Sequence, residues 1–91
     1  MTVRSLGFTG TRRGMTDAQK ERITALLLLF HPRQAHHGDC IGADKQFHEL
    51  VQQVLPATEI IVHPPDNERL RAYCVGEDTW PAKSYLVRDR I

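Results

Sequence analysis

The fold is decided by the stretch Gly38-Asp39-Cys40-Ile41-Gly42-Ala43-Asp44. It follows a strand-like segment at residues 34–37 and opens a helical pattern over residues 43–55. Glycine at the first position allows a sharp turn after the strand, and the later glycine and alanine keep the entrance of the helix uncrowded. A strand that turns directly into a helix is the repeating unit of a parallel α/β sheet.

The residues before this turn predict a strand, a loop and a helix. Residues 3–10 include Val, Leu and Phe, which favour a strand, and lead into a loop with two arginines. Thr16 and Gln19 have the spacing of a capping box at a helix N-terminus. Pro32 ends that helix. Its apolar side chains lie at i, i+3, i+4 and i+7 and form one stripe: Ile23, Leu26, Leu27 and Phe30.

The residues after the turn complete a β-α-β-α-β order. The second helix ends at Pro56, and a β-branched strand follows over residues 59–63. The rest of the chain is polar and loop-like, and a short helix is expected near Pro81. The alternation predicts a small Rossmann-like α/β fold in three layers, with a parallel sheet of about three to four strands. Residues 1–91 are expected to form this single domain.

The composition is that of a globular domain rather than of a membrane or nucleic-acid-binding protein. Hydrophobic residues make up 41%, charged residues 25%, and the net charge is +1. No apolar run is long enough to cross a bilayer, so no membrane partner is expected. Without an export signal, Cys40 and Cys74 are expected to be reduced thiols, which predicts a cytoplasmic location. Nucleic acid is disfavoured as a partner because phosphate-backbone binding relies on a basic surface.

A loop rich in glycine or proline and in polar or charged residues follows each predicted strand, at residues 9–14, 38–44 and 63–69. In parallel α/β sheets, ligands bind beyond the carboxyl ends of the strands, where these loops meet. We therefore predict one site for a nucleotide-like small molecule. Its predicted ligand-binding residues are Thr9, Gly10, Thr11, Arg12, Arg13, Gly38, Asp39, Gly42, Ala43, Asp44, His63 and Pro64.

Within this site, the amides and dipole at the start of the second helix would attract a phosphate. Arg12 or Arg13 would add a cation. A carboxylate repels phosphate, so Asp39 or Asp44 is expected to bind a sugar hydroxyl or to cap the helix. The alternative is a plain tight turn in which one of these aspartates is only a cap.

Five residues have side chains that can ligate a metal or take part in nucleophilic catalysis: His36, His37, His48, His63 and Cys40. Adjacent strand residues point to opposite faces, and no metal-ligand spacing is present, so neither a metal nor a cofactor is predicted. His48 lies one helical turn after Asp44 and is predicted to pair with it. A helix N-terminus lowers a thiol pKa, which would activate Cys40, but the sequence places no base beside it and buried cysteines are commonly inert. Three late aromatic residues are expected either to stack on a base or to complete the core: Tyr73, Trp80 and Tyr85.

Four stretches resemble the SLOG superfamily, most of all its small phage and bacterial branch near the YspA/YpsA-type proteins. They are Gly7-Phe8-Thr9-Gly10-Thr11-Arg12, His37-Gly38-Asp39-Cys40-Ile41-Gly42-Ala43-Asp44 with His48, His63-Pro64-Pro65, and Tyr85-Leu86-Val87-Arg88-Asp89. The run Gly-x-x-x-Gly-Ala-Asp-x-x-x-His is also similar to the core of the DNA-processing protein A family. The resemblance implies a Rossmann-like fold that binds nucleotides, nucleotide sugars or related signals.

The resemblance favours binding over catalysis. Lonely-guy type relatives cleave the base from a nucleoside monophosphate with a Pro-Gly-Gly-x-Gly-Thr-x-x-Glu run, which this chain lacks. We expect a nucleotide or nucleotide-derivative binding module, a sensor or a sequestering protein, and not an enzyme. The alternatives are a nucleotide N-glycosidic or phosphate hydrolase, with Asp39, Asp44 or Glu77 as acid or base, and a nucleic-acid binding domain.

The resemblance also predicts a second copy as a partner. The family continues after residues 85–89 with another strand and helix, so this domain is expected to lack both. In the family's sheet order 3-2-1-4, the first strand would then have an open edge. Open edges invite pairing, and a homo-oligomer is the simplest cover.

Overall fold

Parallel strands form a sheet of four in the computed structural model, which describes residues 4–79. The strands are β1 (Ser5–Phe8), β2 (Gln34–His37), β3 (Glu59–Val62) and β4 (Asp78–Thr79). The helices are α1 (Asp17–Phe30) and α2 (Ala43–Val54), with a 3₁₀ turn at Glu68–Leu70. The strand order is β1-β2-β3-β4, with every pair parallel. The predicted α/β class is confirmed, and the architecture is compatible with a small Rossmann-like fold.

Both helices lie on the same face of the sheet, because the chain crosses from β1 to β2 to β3 in one direction with right-handed connections. The core between helices and sheet consists of Leu27, Ala35, Phe47, Val51, Leu55, Ile60 and Val62. Ala35 and Ile60 are register partners, so the strand contribution comes from one face of the sheet. The described residues thus form two layers, and none of them builds the third layer that was expected.

Helix α1 begins as predicted but is less amphipathic than its sequence pattern indicated. The Gln19 amide donates to the Thr16 hydroxyl, and the Gln19 side chain accepts from the Thr16 amide, which is the capping box. Only Leu27 of the predicted stripe is fully buried, whereas Leu26 is half-exposed. Leu28 and Leu29 are more than half exposed. The helix is therefore apolar on both its inner and its outer side.

The region after β3 differs from the expected loop. It contains the 3₁₀ turn and the two-residue strand β4, which pairs with Ile61 and Val62. The helix expected near Pro81, and the aromatic residues Trp80 and Tyr85, lie outside the described residues. Among the described strands β1 is the outermost, so the expected homo-oligomer at its edge stays a prediction. Over residues 4–79, no helix combines the length and the apolar character needed to span a bilayer.

Candidate ligand site

The loops after the first three strands meet, as the parallel topology predicts. The Ala43 amide, the first in α2, donates to the Thr11 carbonyl at 2.9 Å. The Ile41 amide donates to the Leu70 carbonyl, also at 2.9 Å. The turn of residues 38–42 is therefore joined to the loop after β1 on one side and to the segment after β3 on the other.

Two glycines allow the first of these contacts. Gly42 has a φ of +90°, and a β-carbon there would lie against the backbone of Arg12. A β-carbon at Gly10 would lie 2.5 Å from that of Ala43. The sequence correctly indicated small residues at the helix entrance, but they make room for another loop of the protein as well as for a ligand.

Replacing Gly42 with alanine is expected to lower the free energy of unfolding by about 2 kcal/mol, because the substitution adds both backbone strain and a collision. Gly38→Ala is the matched control. Its φ lies outside the left-handed region, and its β-carbon would meet only the Asp44 carboxylate, at 2.9 Å. Urea denaturation of both variants checks this: the control should lose less than half as much. An unchanged stability of Gly42→Ala would contradict this account of the turn.

Most amides of the 38–44 turn already have partners within the protein. The Cys40 amide donates to Asp44 Oδ2 at 3.2 Å, and the Asp39 amide donates to His37 Nδ1 at 3.0 Å. The amides of Ile41 and Ala43 bind the carbonyls described above. No side chain caps α2 at Gly42, so the predicted capping by Asp39 or Asp44 is wrong. These bonds, together with the burial of Ala43 and Asp44, leave few amides of this turn open to an anion.

A cleft of about 380 Å³ opens beside this helix start, between the loop after β1 and helix α1. Its apolar wall contains Phe8, Met15 and Ile23, which are half-buried. Thr9, Thr11 and Arg22 are exposed and supply polar groups. The remaining lining residues are Gly10, Gly14, Gln19, Leu26 and Ala43. Phe8 is held in place by stacking on Phe47 of α2, with ring centroids 4.5 Å apart.

A second opening, of about 610 Å³, lies on the other side of Thr11. It is lined by Thr11, Arg12, Arg13 and Ile41, all of which are exposed. Thr11 lines both spaces, so the two openings adjoin at this threonine. The structure thus brings the predicted residues 9–13 together with the start of α2.

Asp39 has a structural role that the sequence did not reveal. It is fully buried, with a φ of +52°. Its Oδ2 accepts from Arg71 Nε at 2.7 Å, and its Oδ1 accepts from the Cys74 amide at 2.8 Å. Its carbonyl accepts from the Ala72 amide. Asp39 therefore fastens residues 71–74 across the end of β2, and its proximity raises the pKa of Arg71.

Asp44 differs from Asp39 because it keeps an unused acceptor. Its side chain is buried, and its Oδ1 has no hydrogen-bond partner among the described residues. Burial raises the pKa of Asp44, although the nearby amides of Cys40 and Gly10 act in the opposite direction. The carboxyl lies between the loops after β1 and β2, and Asp44 is not among the residues that line the two openings.

The buried histidines form two pairs on opposite faces of the sheet, as the alternation of His36 and His37 predicted. His36 Nδ1 lies 2.8 Å from His63 Nε2 on the face away from the helices. On the helix side, His37 Nε2 lies 2.9 Å from His48 Nδ1. The predicted pairing of His48 with Asp44 is therefore wrong.

The hydrogen bonds of His37 determine where its proton lies. Its Nδ1 accepts from the Asp39 amide, so the neutral ring carries its proton on Nε2 and donates it to His48. Burial, followed by the proximity of His48, lowers the pKa of His37 to about 4. Burial also lowers the pKa of His48. Both rings are thus neutral at physiological pH.

The one candidate metal cluster found within residues 4–79 suits a metal ion poorly. It comprises His37, His48 and Cys74, whose ligand atoms lie within 4.8 Å of one another. A metal on His37 Nε2 would move the ring proton to Nδ1, where the Asp39 amide already points its own hydrogen. Burial also raises the pKa of Cys74 to about 12, so its thiol is protonated at neutral pH.

The remaining candidates lie apart from the cleft or are engaged elsewhere. His63 is buried against His36, and Pro64 follows it half-buried, so neither lines the two openings described above. The Glu77 carboxylate accepts from the Ile60 amide at the sheet. Burial and Asp44 raise the pKa of Cys40, which is the opposite of the expected helix effect and disfavours it as a nucleophile.

No protein-family model matches this chain, and searches of characterised proteins and of solved structures returned no significant similarity. The SLOG resemblance therefore stays a prediction based on the four quoted motifs.

Proposed function

We propose that this chain is a binding module for a nucleotide or nucleotide derivative, held at the carboxyl end of β1. The observation that carries the proposal is the 380 Å³ cleft, which combines a half-buried apolar wall with threonines, an arginine and the start of α2. Nucleotide sites need this combination: an apolar slot for the base, and polar groups and a helix terminus for ribose and phosphate.

The chemistry of the lining residues suggests how such a ligand is oriented. The base occupies the space between Phe8 and Ile23, and the hydroxyls of Thr9 and Thr11 serve the ribose. The phosphates extend past Thr11 to the exposed guanidinium groups of Arg12 and Arg13.

Binding without catalysis is supported by the structural hydrogen bonds that the candidate carboxylates already make. General acid–base hydrolysis needs a carboxyl group that can reach the reacting bond. Asp39 and Glu77 are committed to Arg71, to the Cys74 amide and to the Ile60 amide. Asp44 is buried, and neither opening is lined by any of these three carboxyl groups within residues 4–79. A sensor or a sequestering protein of the kind implied by the SLOG resemblance fits this arrangement.

A thermal-shift panel of nucleoside mono-, di- and triphosphates tests the proposal. A ligand at 100 times its Kd stabilises the native state by about 2.7 kcal/mol. For a domain of this size, that corresponds to a rise in Tm of about 10 °C. The double variant Arg12→Gln/Arg13→Gln should lose most of the shift caused by phosphate-bearing ligands. Arg33→Gln, an exposed arginine before β2 at the opposite end of the sheet, should keep it.

Chromatography of the ligand after incubation separates this proposal from the hydrolase alternative. Recovery of intact nucleotide supports a binding module, whereas release of free base or phosphate would identify an enzyme. If no nucleotide raises the Tm of the wild-type protein, the proposed function is wrong.

A further inference from the structure

A second surface suited to a planar group lies at residues 71–73. The Tyr73 side chain is 57% exposed, so its ring is not part of the core. The guanidinium carbon of Arg71 lies 4.6 Å from the centre of this ring, which is a cation–π distance. Tyr73 also has a φ of +58°, a backbone conformation that is costly for a bulky residue.

Asp39 holds this surface in place from below. Its carboxylate binds Arg71 Nε and the Cys74 amide, and its carbonyl binds the Ala72 amide. Tyr73 therefore lies at the apex of a segment fastened on both sides. Strained residues with exposed side chains persist where the surroundings fix them, and they concentrate at ligand sites. The ring and the guanidinium group together form a pre-organised stacking surface, here called the Tyr73 platform.

The Tyr73 platform is continuous with the proposed nucleotide site. The Ile41 amide bonds to the Leu70 carbonyl, and Cys40 forms an antiparallel bridge with Arg71. Ile41 in turn lines the opening that contains Arg12 and Arg13. The opening that contains Arg12 and Arg13 is thus joined through Ile41 to the segment that carries Arg71 and Tyr73. Arg12 and Arg13 are exposed cations at this opening, which suits a chain of phosphates, and Arg71 is a further cation that is paired with Asp39.

We infer that the ligand carries two planar groups joined by phosphates, which is the chemistry of a dinucleotide. One base occupies the apolar cleft, and the phosphates pass Arg12 and Arg13. The second base stacks on the Tyr73 platform, where the remaining nitrogens of Arg71 face the phosphates. This inference rests on the proposed function and specifies its ligand class.

Calorimetric titration with two matched probes tests the inference: a dinucleoside tetraphosphate and the corresponding nucleoside diphosphate, each in adenosine and guanosine forms. Stacking of one base contributes enough that the wild-type protein should bind the better dinucleotide about tenfold or more tightly than its diphosphate. Tyr73→Ala should abolish this difference and leave the diphosphate affinity within about twofold, while Tyr73→Phe, which keeps the ring, should retain it. The Tm of each variant without ligand verifies that it is folded.

The outcomes separate this inference from the function on which it rests. If the diphosphate binds but the dinucleotide binds no more tightly, or if Tyr73→Ala weakens both equally, the two-base ligand is wrong and the nucleotide site stands. If neither probe binds and no nucleotide raises the Tm of the wild-type protein, the proposed function fails and the inference fails with it.

Discussion

Replacing Asp39 with alanine is expected to lower the free energy of unfolding by about 3 kcal/mol, because it removes a buried charge whose partners remain. Arg71 Nε and the Cys74 amide would both lose their acceptor. Alanine is also strained at the φ of +52°. Urea denaturation at neutral pH measures the loss.

Two further variants separate the contributions to this loss. Asparagine adopts left-handed backbone readily and keeps one acceptor oxygen, so Asp39→Asn should lose about half as much as alanine. Asp66→Ala, at an exposed carboxylate in the loop after β3, should change stability by less than about 0.5 kcal/mol. An Asp39→Ala protein as stable as the wild type would show that this carboxylate does not hold residues 71–74.

The protein is expected to lose stability as the pH falls from 6.5 toward 4. Burial lowers the pKa of His37 from 6.5 to about 4, so between these values the unfolded chain binds a proton that the native state does not. The contribution of His37 is therefore fully present above pH 6.5 and declines as the solution becomes more acidic. A pKa shift of this size corresponds to about 3 kcal/mol at its limit. The lowered pKa of His48 acts in the same direction.

Denaturation curves at several pH values between 4 and 7 check this expectation. His37→Gln should be less stable than the wild type at pH 7, and its stability should depend less on pH over this range. His31→Gln, at the exposed C-terminal cap of α1, should retain the wild-type profile. If the wild type and His37→Gln had parallel pH profiles, the neutral buried His37–His48 pair would be wrong.

The elements predicted most accurately are those set by local chemistry. The second strand has the predicted bounds, Gln34–His37, and α2 begins at Ala43 as the Gly42-Ala43 sequence indicated. The capping box of Thr16 and Gln19 depends only on residues three apart, and both of its hydrogen bonds are formed. Turn residues, caps and helical periodicity act within a few positions and can be recognised from the chain alone.

Interactions between distant residues could not be predicted. Asp39 binds Arg71, which is 32 positions away in a stretch without a strong pattern. His48 was expected to contact Asp44, one turn earlier, but its ring instead reaches His37 on the neighbouring strand. Both misses have the same cause: a side chain has several partners of suitable chemistry, and only the packing of α2 on the sheet selects one.

The meeting of the loops was predicted, but their hydrogen bonds were not. Parallel topology brings residues 9–14 and 38–44 together, and the structure confirms this juxtaposition through the Ala43–Thr11 hydrogen bond. In this arrangement, protein carbonyls accept hydrogen bonds from the amides of Ile41 and Ala43, which were predicted to bind phosphate. The contribution of α1 to the cleft was not predicted, because the periodicity around Arg22 and Ile23 indicated only a helix.

The most direct test of the central claim is a ¹H–¹⁵N NMR titration of the wild-type protein with the nucleotide that gives the largest thermal shift. The account predicts progressive shifts at the amides of Thr9, Thr11 and Ala43, around the cleft and the start of α2. The amide of Arg33, at the opposite end of the sheet, should remain unchanged. Saturable binding with shifts confined to that opposite end, or no shifts near Thr11, would contradict a nucleotide site at the carboxyl end of β1.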